Sequence, residues 1–381
     1  MTDKRIRYGM VGGGPGAFIG AIHRMAARLE GRYELVAGAF SSNRERGCTL
    51  GAQLGLAPQR TYATYEEMAR TEAARPDGIE AVVIVTPNHL HYPVAKAFLE
   101  TGTHVICDKP LTTTLSDALA LRDLVRSSGR LFFVTYTYGA YPMVAQAREM
   151  VRCGQIGTVR VVQVEYAQGW LSTAVETQGS VQARWRTDPA LAGQGGCLGD
   201  IGTHAYHLVE YVTGLRTQSV AAELSRFVPG RRLDDNVQVM LRFVGGASGS
   251  LWASQVAAGE DNALRIRIYG DTASVCWEQE HPERLRFAPL GAPPQILRRG
   301  GAGVGPWATG VTHLPAGHPE GALEGFGLLY SEVADVIIAV REQRPVPATR
   351  VATIDDGVAG MKFIDACVRS AQRDAAWVSL A

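Results

Sequence analysis

The chain of 381 residues is long enough for two or three domains. With 46% apolar and 20% charged side chains, it is neither a disordered chain nor a small disulfide scaffold. Thirty-eight basic against 37 acidic residues leave a net charge of +1, which offers no field to a polyanion, so nucleic acid is not an expected partner. The densest apolar runs, Ala81–Val85 and Val336–Val340, fall far short of the roughly 20 residues a membrane-crossing helix needs. The N-terminal residues carry no apolar signal region, and the six cysteines include no C-x-x-C. A cytoplasmic, reduced protein with no membrane span and no metal site is expected.

From residue 6 to about 136, strands and helices alternate. Ile6–Val11 is a short apolar strand that ends in glycines, and Ala17–Leu29 has helical spacing. Tyr33–Ala39 reads as the second strand. Thr64 and Glu67 form a capping-box pattern that opens a helix to about Ala74. Ala81–Val85 is β-branched without polar alternation, as expected of a parallel strand covered on both faces. A helix from His91 to Thr101, a strand at His104–Cys107, a helix over Leu115–Ser128 and a strand at Leu131–Tyr136 complete the series. Such alternation predicts a parallel sheet with right-handed crossovers. Beyond Pro142, one helix to Gly154 is followed by period-two runs: Val159–Ala167, Ser219–Phe227, Val237–Phe243, Ser248–Val256, Leu264–Ile268, Ala273–Trp277 and Arg284–Phe287. Residues 300–321 form a glycine-rich stretch without pattern. Two helices, about Phe326–Ala339 and Thr353–Ala371, close the chain.

Gly12, Gly14 and Ala17 satisfy G-x-G-x-x-G/A between the first strand and the first helix. Glycine first permits the tight turn, glycine second lets the backbone approach a pyrophosphate, and a small third residue lets helix and strand pack closely. In this strand–turn–helix context the motif predicts a dinucleotide site. No acidic residue ends the second strand. Ser41 and Ser42 are candidates for a ribose 2′-hydroxyl and Arg44 for a 2′-phosphate, which leaves NAD and NADP both open. Thr86-Pro87-Asn88 and His91 follow the third strand, with Asn88 read equally as ligand or helix cap. Asp108-Lys109-Pro110 follows the fourth. Only four basic residues are lysines (Lys4, Lys96, Lys109 and Lys362) in a chain that otherwise writes arginine. Lysine can donate one compact hydrogen bond and can be tuned in pKa, whereas arginine cannot release its proton, so Lys109 is a candidate for chemistry. Asp200 and His204 are spaced i, i+4, as on one face of a helix that continues through His207 and Tyr211.

In this order, the G-x-G-x-x-A turn, Thr-Pro-Asn-x-x-His, a Lys-Pro after a strand and Asp-x-x-x-His resemble the Gfo/Idh/MocA oxidoreductases, relatives of glucose–fructose oxidoreductase and inositol dehydrogenase. Gly317-His318-Pro-Glu-Gly and Trp185-Arg-x-Asp-Pro resemble a bacterial branch that oxidises glycosides and polyols. Where the family usually has Glu-Lys-Pro, this chain has Asp108 before Lys109. The implied fold is α/β plus α+β: a doubly wound parallel Rossmann sheet over 1–137, a substrate domain with a large open, mainly antiparallel sheet over 138–325, and helices over 326–381 that pack back on the first domain. The resemblance implies hydride transfer between nicotinamide and a sugar, glycoside or cyclitol carbon in a homodimer or homotetramer. It also implies a catalytic group of Lys109, Asp200 and His204. Gly12, Gly14, Gly16, Ala17, Phe18, Ser41, Ser42, Arg44, Thr86, Pro87, Asn88, His91, Asp108 and Lys109 are the expected cofactor residues. Tyr138, Trp170, Trp185 and His318 join the catalytic group against substrate. A lysine base would need its pKa brought from ~10.4 to about 7, whereas histidine starts near 6.5. His204 is therefore the expected base, Lys109 the stabiliser of the alkoxide, and Asp200 the residue that orients sugar or imidazole. A non-catalytic ligand sensor of the same fold and a metal-dependent sugar isomerase or dehydratase are the competing readings.

Overall fold

The computed structural model describes residues 5–380; Lys4, one of the four lysines, lies outside them. Its first unit takes in the chain to Tyr136 together with 322–358. It is built on β1 (Ile6–Gly12), β2 (Tyr33–Ala39), β3 (Ala81–Val85), β4 (His104–Cys107) and β5 (Phe132–Val134), all parallel in the order β2-β1-β3-β4-β5. Every residue of β3 is buried, as its β-branched sequence requires of a strand covered on both sides. The crossovers run through α1 (Phe18–Leu29), α2 (Arg44–Gln53), α3 (Tyr65–Ala73), α4 (His91–Glu100) and α5 (Leu115–Ser128). Thr64 caps α3 by accepting from the Glu67 N–H, and the Glu67 carboxylate reaches back to the Ala63 N–H, one residue before the expected partner. Thr114 caps α5, which stops at Gly129 with φ 63°. Such strand-to-helix turns place the ends of β1, β3 and β4 at one edge of the sheet, where α/β folds hold ligands.

The second unit covers Thr137–Gly321 and Ala359–Ala381. Helix α6 (Pro142–Arg152) precedes β6 (Val159–Ala167), followed by the short α7 (Val181–Arg186) and α8 (Pro189–Ala192), then α9 (Thr203–Thr213). Strands β7 (Thr217–Ser225), β8 (Asn236–Phe243), β9 (Ser248–Ser254), β10 (Ala263–Gly270), β11 (Ala273–Glu278), β12 (Arg284–Pro289) and β13 (Gln295–Arg298) follow. The sheet order is β13-β12-β11-β10-β6-β9-β8-β7-β14, where β14 is Val378–Ser379. Among the described residues of this sheet, only β6 and β9 pair in parallel. In β8 the buried positions alternate with exposed ones, so the period-two pattern is the sheet's inner and outer faces. Three expectations change here. Strand β7 ends two residues early because the Asp235 carboxylate takes the N–H groups of Phe227 and Val228. The glycine-rich stretch contains a short helix, α10 (Pro306–Thr309), and Arg299 organises its end by donating to the carbonyls of Leu314 and His318.

The third change concerns the C-terminal helices, which divide between the two units rather than staying together. Helix α11 (Ala322–Arg341) belongs to the first unit, where the Tyr330 carbonyl accepts the Tyr33 hydroxyl and the Tyr330 hydroxyl pairs with His23 Nδ1. Helix α12 (Ile354–Ala371) crosses the unit boundary. Its later turns belong to the second unit: Phe363 stacks on Tyr206, and the Ser370 hydroxyl accepts the Ala222 N–H.

Candidate functional site

The turn after β1 is a crowded backbone crossing. Gly12 has φ 85°, and a Cβ there would lie 2.7 Å from the Val85 carbonyl oxygen. A Cβ on Gly14 would lie 2.6 Å from the Phe40 carbonyl oxygen. The second glycine is therefore already demanded by the chain leaving β2, before any ligand is considered. Close helix–strand packing, assigned by the motif to Ala17, is achieved instead by Gly20, whose Cβ would come within 2.4 Å of the Gly13 Cα. Ala17 is the N-cap and offers no capping side chain, so the first N–H groups of α1 are left for an anion. Phe18, 72% exposed, stands at that helix end. Arg24 and Arg46, both unremarked in the sequence, donate to the carbonyls of Gly13 and Pro15 and hold the turn from two sides.

At the end of β2, the Ser41 hydroxyl accepts the Asn43 N–H, and Asn43 caps α2 through the Arg46 N–H. Ser42 and Arg44 are exposed. Thr86 and Pro87 lead from β3 into a single 3-10 turn, Asn88–Leu90. Buried Asn88 is not the cap of α4, whose N-cap is Leu90. His91, expected against the cofactor, has both ring nitrogens engaged: Nδ1 lies 2.8 Å from the Pro110 carbonyl and Nε2 3.0 Å from the Thr86 carbonyl. It ties the turn after β3 to the turn after β4. Burial lowers its pKa against the opposing pull of Asp108 and the two carbonyls. Asp108 accepts from the Lys109 N–H at 3.1 Å and from the Thr135 hydroxyl at 2.8 Å, so the shorter acid orients the Lys109 main chain. Lys109 is half-buried, and its peptide bond to Pro110 is cis. An uncapped helix start over a glycine-rich turn, flanked by arginines and with no acidic residue in its first turn, fits a dinucleotide phosphate.

In the second unit Asp200 does not sit on a regular α-helix. Residues Leu198–Gly202 form a π turn that runs into α9, so Asp200 and His204 are related by a wider turn than simple i, i+4 spacing implies. The Asp200 carboxylate accepts from Arg186 Nε at 3.1 Å and Gln255 Nε2 at 2.9 Å. Arg186 in turn lies 4.2 Å over the Trp185 ring. His204 is buried, with the Tyr138 ring edge-on at 5.0 Å and Tyr166 at 6.3 Å. The two tyrosine hydroxyls are 2.5 Å apart, and the Tyr166 hydroxyl donates to Asn262, which also receives Gln168. Burial raises the pKa of both phenols, so they stay protonated near neutral pH. Trp170 donates to Gln168 at the edge of this network. His318, grouped with the substrate residues by resemblance, has an exposed side chain, and its carbonyl is held by Arg299. Tyr166, Gln255 and Asn262 carry no local signal in the sequence, and Arg186 stands only as the second residue of Trp-Arg-x-Asp-Pro.

Comparison with known proteins accounts for both units. A family model described as "Oxidoreductase family, NAD-binding Rossmann fold" matches residues 6–136, and "GFO/IDH/MocA C-terminal domain" matches 144–276. An oxidoreductase of known structure from Sinorhizobium meliloti is 50% identical, with 98% of this chain and 99% of that chain covered and a TM-score of 0.89. An inositol dehydrogenase homolog from Azotobacter vinelandii, solved with NADH and myo-inositol, is 38% identical with a TM-score of 0.91, covering 99% of this chain and 98% of that one. Levoglucosan dehydrogenase of Pseudarthrobacter phenanthrenivorans is 29% identical over 93% of this chain and 95% of its own length.

Proposed function

The chain belongs to the Gfo/Idh/MocA family of NAD-binding oxidoreductases, and from that premise we propose that it oxidises a secondary hydroxyl of a sugar, glycoside or cyclitol, or reduces the matching ketone. The observation that carries the substrate class is the polar wall around His204. Tyr138, Tyr166, Asn262, Gln168, Gln255 and Asp200 present hydroxyl, amide and carboxylate groups suited to a ring bearing several hydroxyls. The relatives bound to myo-inositol or named for levoglucosan support the same class.

Bound NAD supplies the hydride acceptor. His204 takes the hydroxyl proton as general base, the role its near-neutral intrinsic pKa suits. Asp200, held by Arg186 and Gln255, orients the substrate hydroxyl or the imidazole. Lys109, with its main chain set by Asp108 and Pro110 by His91, donates to the oxygen as negative charge develops. The turn Gly12–Gly16 at the start of α1 would hold the phosphates. Thr86, Pro87 and Asn88 would serve the nicotinamide side, and Ser41, Ser42 and Arg44 the ribose of NAD or the 2′-phosphate of NADP. Trp170, Trp185 and His318 complete the substrate-binding set. The protein works as a homodimer or homotetramer in the cytoplasm.

The test is a panel of monosaccharides, anhydrosugars, glycosides and inositols, followed at the nicotinamide absorbance band with NAD and with NADP. Turnover of at least one polyol that is lost in His204→Ala supports the proposal. A purified protein that binds NAD but turns over none of the panel overturns it in favour of a sensor. Arg44→Ala is expected to leave NAD affinity unchanged, whereas a selective loss of NADP binding would identify Arg44 as a 2′-phosphate ligand.

A further inference from the structure

The segment that carries Asp200 and His204 enters its helix through the π turn, and the contacts that shape this turn come from the distant loop that leads into β8. Asp234, just before β8, accepts the Gly196 N–H on Oδ1 and the Leu198 N–H on Oδ2, both at 2.8 Å. Its own carbonyl accepts the Cys197 N–H at 2.9 Å. Three successive amides of the turn thus end on one residue. A Cβ on Gly196 would lie 2.3 Å from the Asp234 carbonyl oxygen, so the two backbones meet with no side chain between them. The Gly196 carbonyl then receives the Asp200 N–H at 2.9 Å. The neighbouring residue closes the path from the other side. The Asp235 carbonyl accepts the Gln255 N–H at 2.9 Å, and the Gln255 side chain donates to the Asp200 carboxylate.

We propose that Asp234 is a positioning residue for the reaction, its ionised carboxylate holding the 196–202 turn in the shape that aims Asp200 and His204. The inference rests on the assignment of those two residues to the chemistry. Both carboxylate oxygens face N–H donors, so only the ionised form satisfies them fully. A proton on Asp234, or an amide in its place, sets a donor against a donor and releases one amide of the turn. Displacement of a reacting group by about 1 Å can cost on the order of 10²-fold in rate.

The local charges make this clamp sensitive to pH. Burial pushes the Asp234 carboxyl up to about 6; adjacent Asp235 acts in the same direction, and bonds from the amides of Leu198, Gly196 and Asp234 itself oppose them. Asp235 is itself paired with Arg231. The other titratable groups facing it are Cys197 on the turn and Cys367 on α12, both neutral thiols whose pKa burial raises. Asp200 adds negative charge near Cys197.

The experiment compares wild type and Asp234→Asn as full-length protein with NAD and the best substrate of the panel, across pH 5 to 8. The variant is expected to lose at least 30-fold in kcat while its NAD affinity stays within twofold. Below pH 6 the wild-type logarithm of kcat should fall more steeply than the variant's, the extra slope of up to one reporting the proton on Asp234. Unchanged kcat, or the same slope in wild type and Asp234→Asn, overturns the proposal. If the variant does not fold, the amide resonances of Gly196 and Leu198 in the wild type decide. A shared titration with a midpoint near 6 supports the clamp, and flat shifts from pH 5 to 7 overturn it. Loss of turnover in His204→Gln with full turnover in Asp234→Asn removes the positioning role alone. Full turnover in His204→Gln removes the base assignment on which it stands.

Discussion

Gly14 shows how one residue can satisfy a motif for a reason the motif does not state. A Cβ there would lie 2.6 Å from the Phe40 carbonyl oxygen, and main chain cannot swing aside as a side chain tip can. Gly14→Val is therefore expected to destabilise the protein by about 1–3 kcal/mol through overpacking, and to lose NAD as a consequence of the displaced turn. Thermal denaturation without cofactor checks this: an unchanged midpoint with lost NAD binding would return the glycine to the pyrophosphate alone. Lys109 is the converse case, a residue whose effect should appear in the rate. Lys109→Ala is expected to lower kcat/KM about 10²-fold or more with NAD affinity nearly constant. Lys109→Arg should fail too, because a forked guanidinium does not replace a point donor. Near-wild-type turnover by both variants would remove Lys109 from the mechanism.

Among elements, the junction of α1 and α11 carries the clearest pH signature. His23 is fully buried, with Nδ1 2.7 Å from the Tyr330 hydroxyl and its ring edge-on to Phe326 at 4.8 Å. Burial lowers its pKa to about 4, with Asp108 opposing and Arg24 assisting. The unfolded chain takes up this proton near 6.5 and the folded chain does not. The stability His23 contributes is thus complete above pH 6.5 and lost as pH falls toward 4, about 2 kcal/mol of it by pH 5. His23→Asn should shrink the difference between urea midpoints measured at pH 7.5 and pH 5, and an undiminished difference would place the acid sensitivity elsewhere. Asp234 runs the other way. Its raised carboxyl penalises folding as pH climbs from about 4 to 6, so acid relieves that cost while slackening the turn.

The elements that were legible in the sequence share one property: their signals are local. The β-branched run of β3, the Thr114 cap and Gly129 stop of α5, and the alternation of β8 each specify an element within a few residues. Helix α2 was missed because its ten residues lack an apolar stripe to display. The π turn was missed because Asp234, 36 to 38 positions from the amides it holds, bends it. The candidate site divides in the same way. Lys109 and His204 stand in short motifs, whereas Arg186, Gln255 and Asn262 are linked to the site by tertiary contacts that no window of sequence displays.

For the whole molecule, the outer face of the second unit's sheet argues for assembly. Cross-strand pairing lines up Met240, Ser250, Gln163, Arg267, Cys276, Arg286 and Ile296 in one ladder from β8 to β13. Val161 and Tyr269 pair on the same face, and Met240 is 55% exposed. The inner face buries Val239, Leu241, Leu251, Val164 and Ile266, so the alternation leaves apolar side chains on the outer side without cover from their own strands. The ion pairs of Glu165 with Arg265 and Arg267 lie on that outer face, and already matched charges lower the cost of bringing a second copy against it. We expect a dimer or tetramer joined through this face. Light scattering at micromolar concentration should give a multiple of the 41.0 kDa chain mass. Met240→Asp, which places a carboxylate on that face, should shift the mass toward the monomer without lowering the melting cooperativity of the separated chain. A wild-type monomer at every concentration, or an oligomer indifferent to Met240→Asp, would mean that this face is left to solvent and the exposed apolar residues serve something other than self-association.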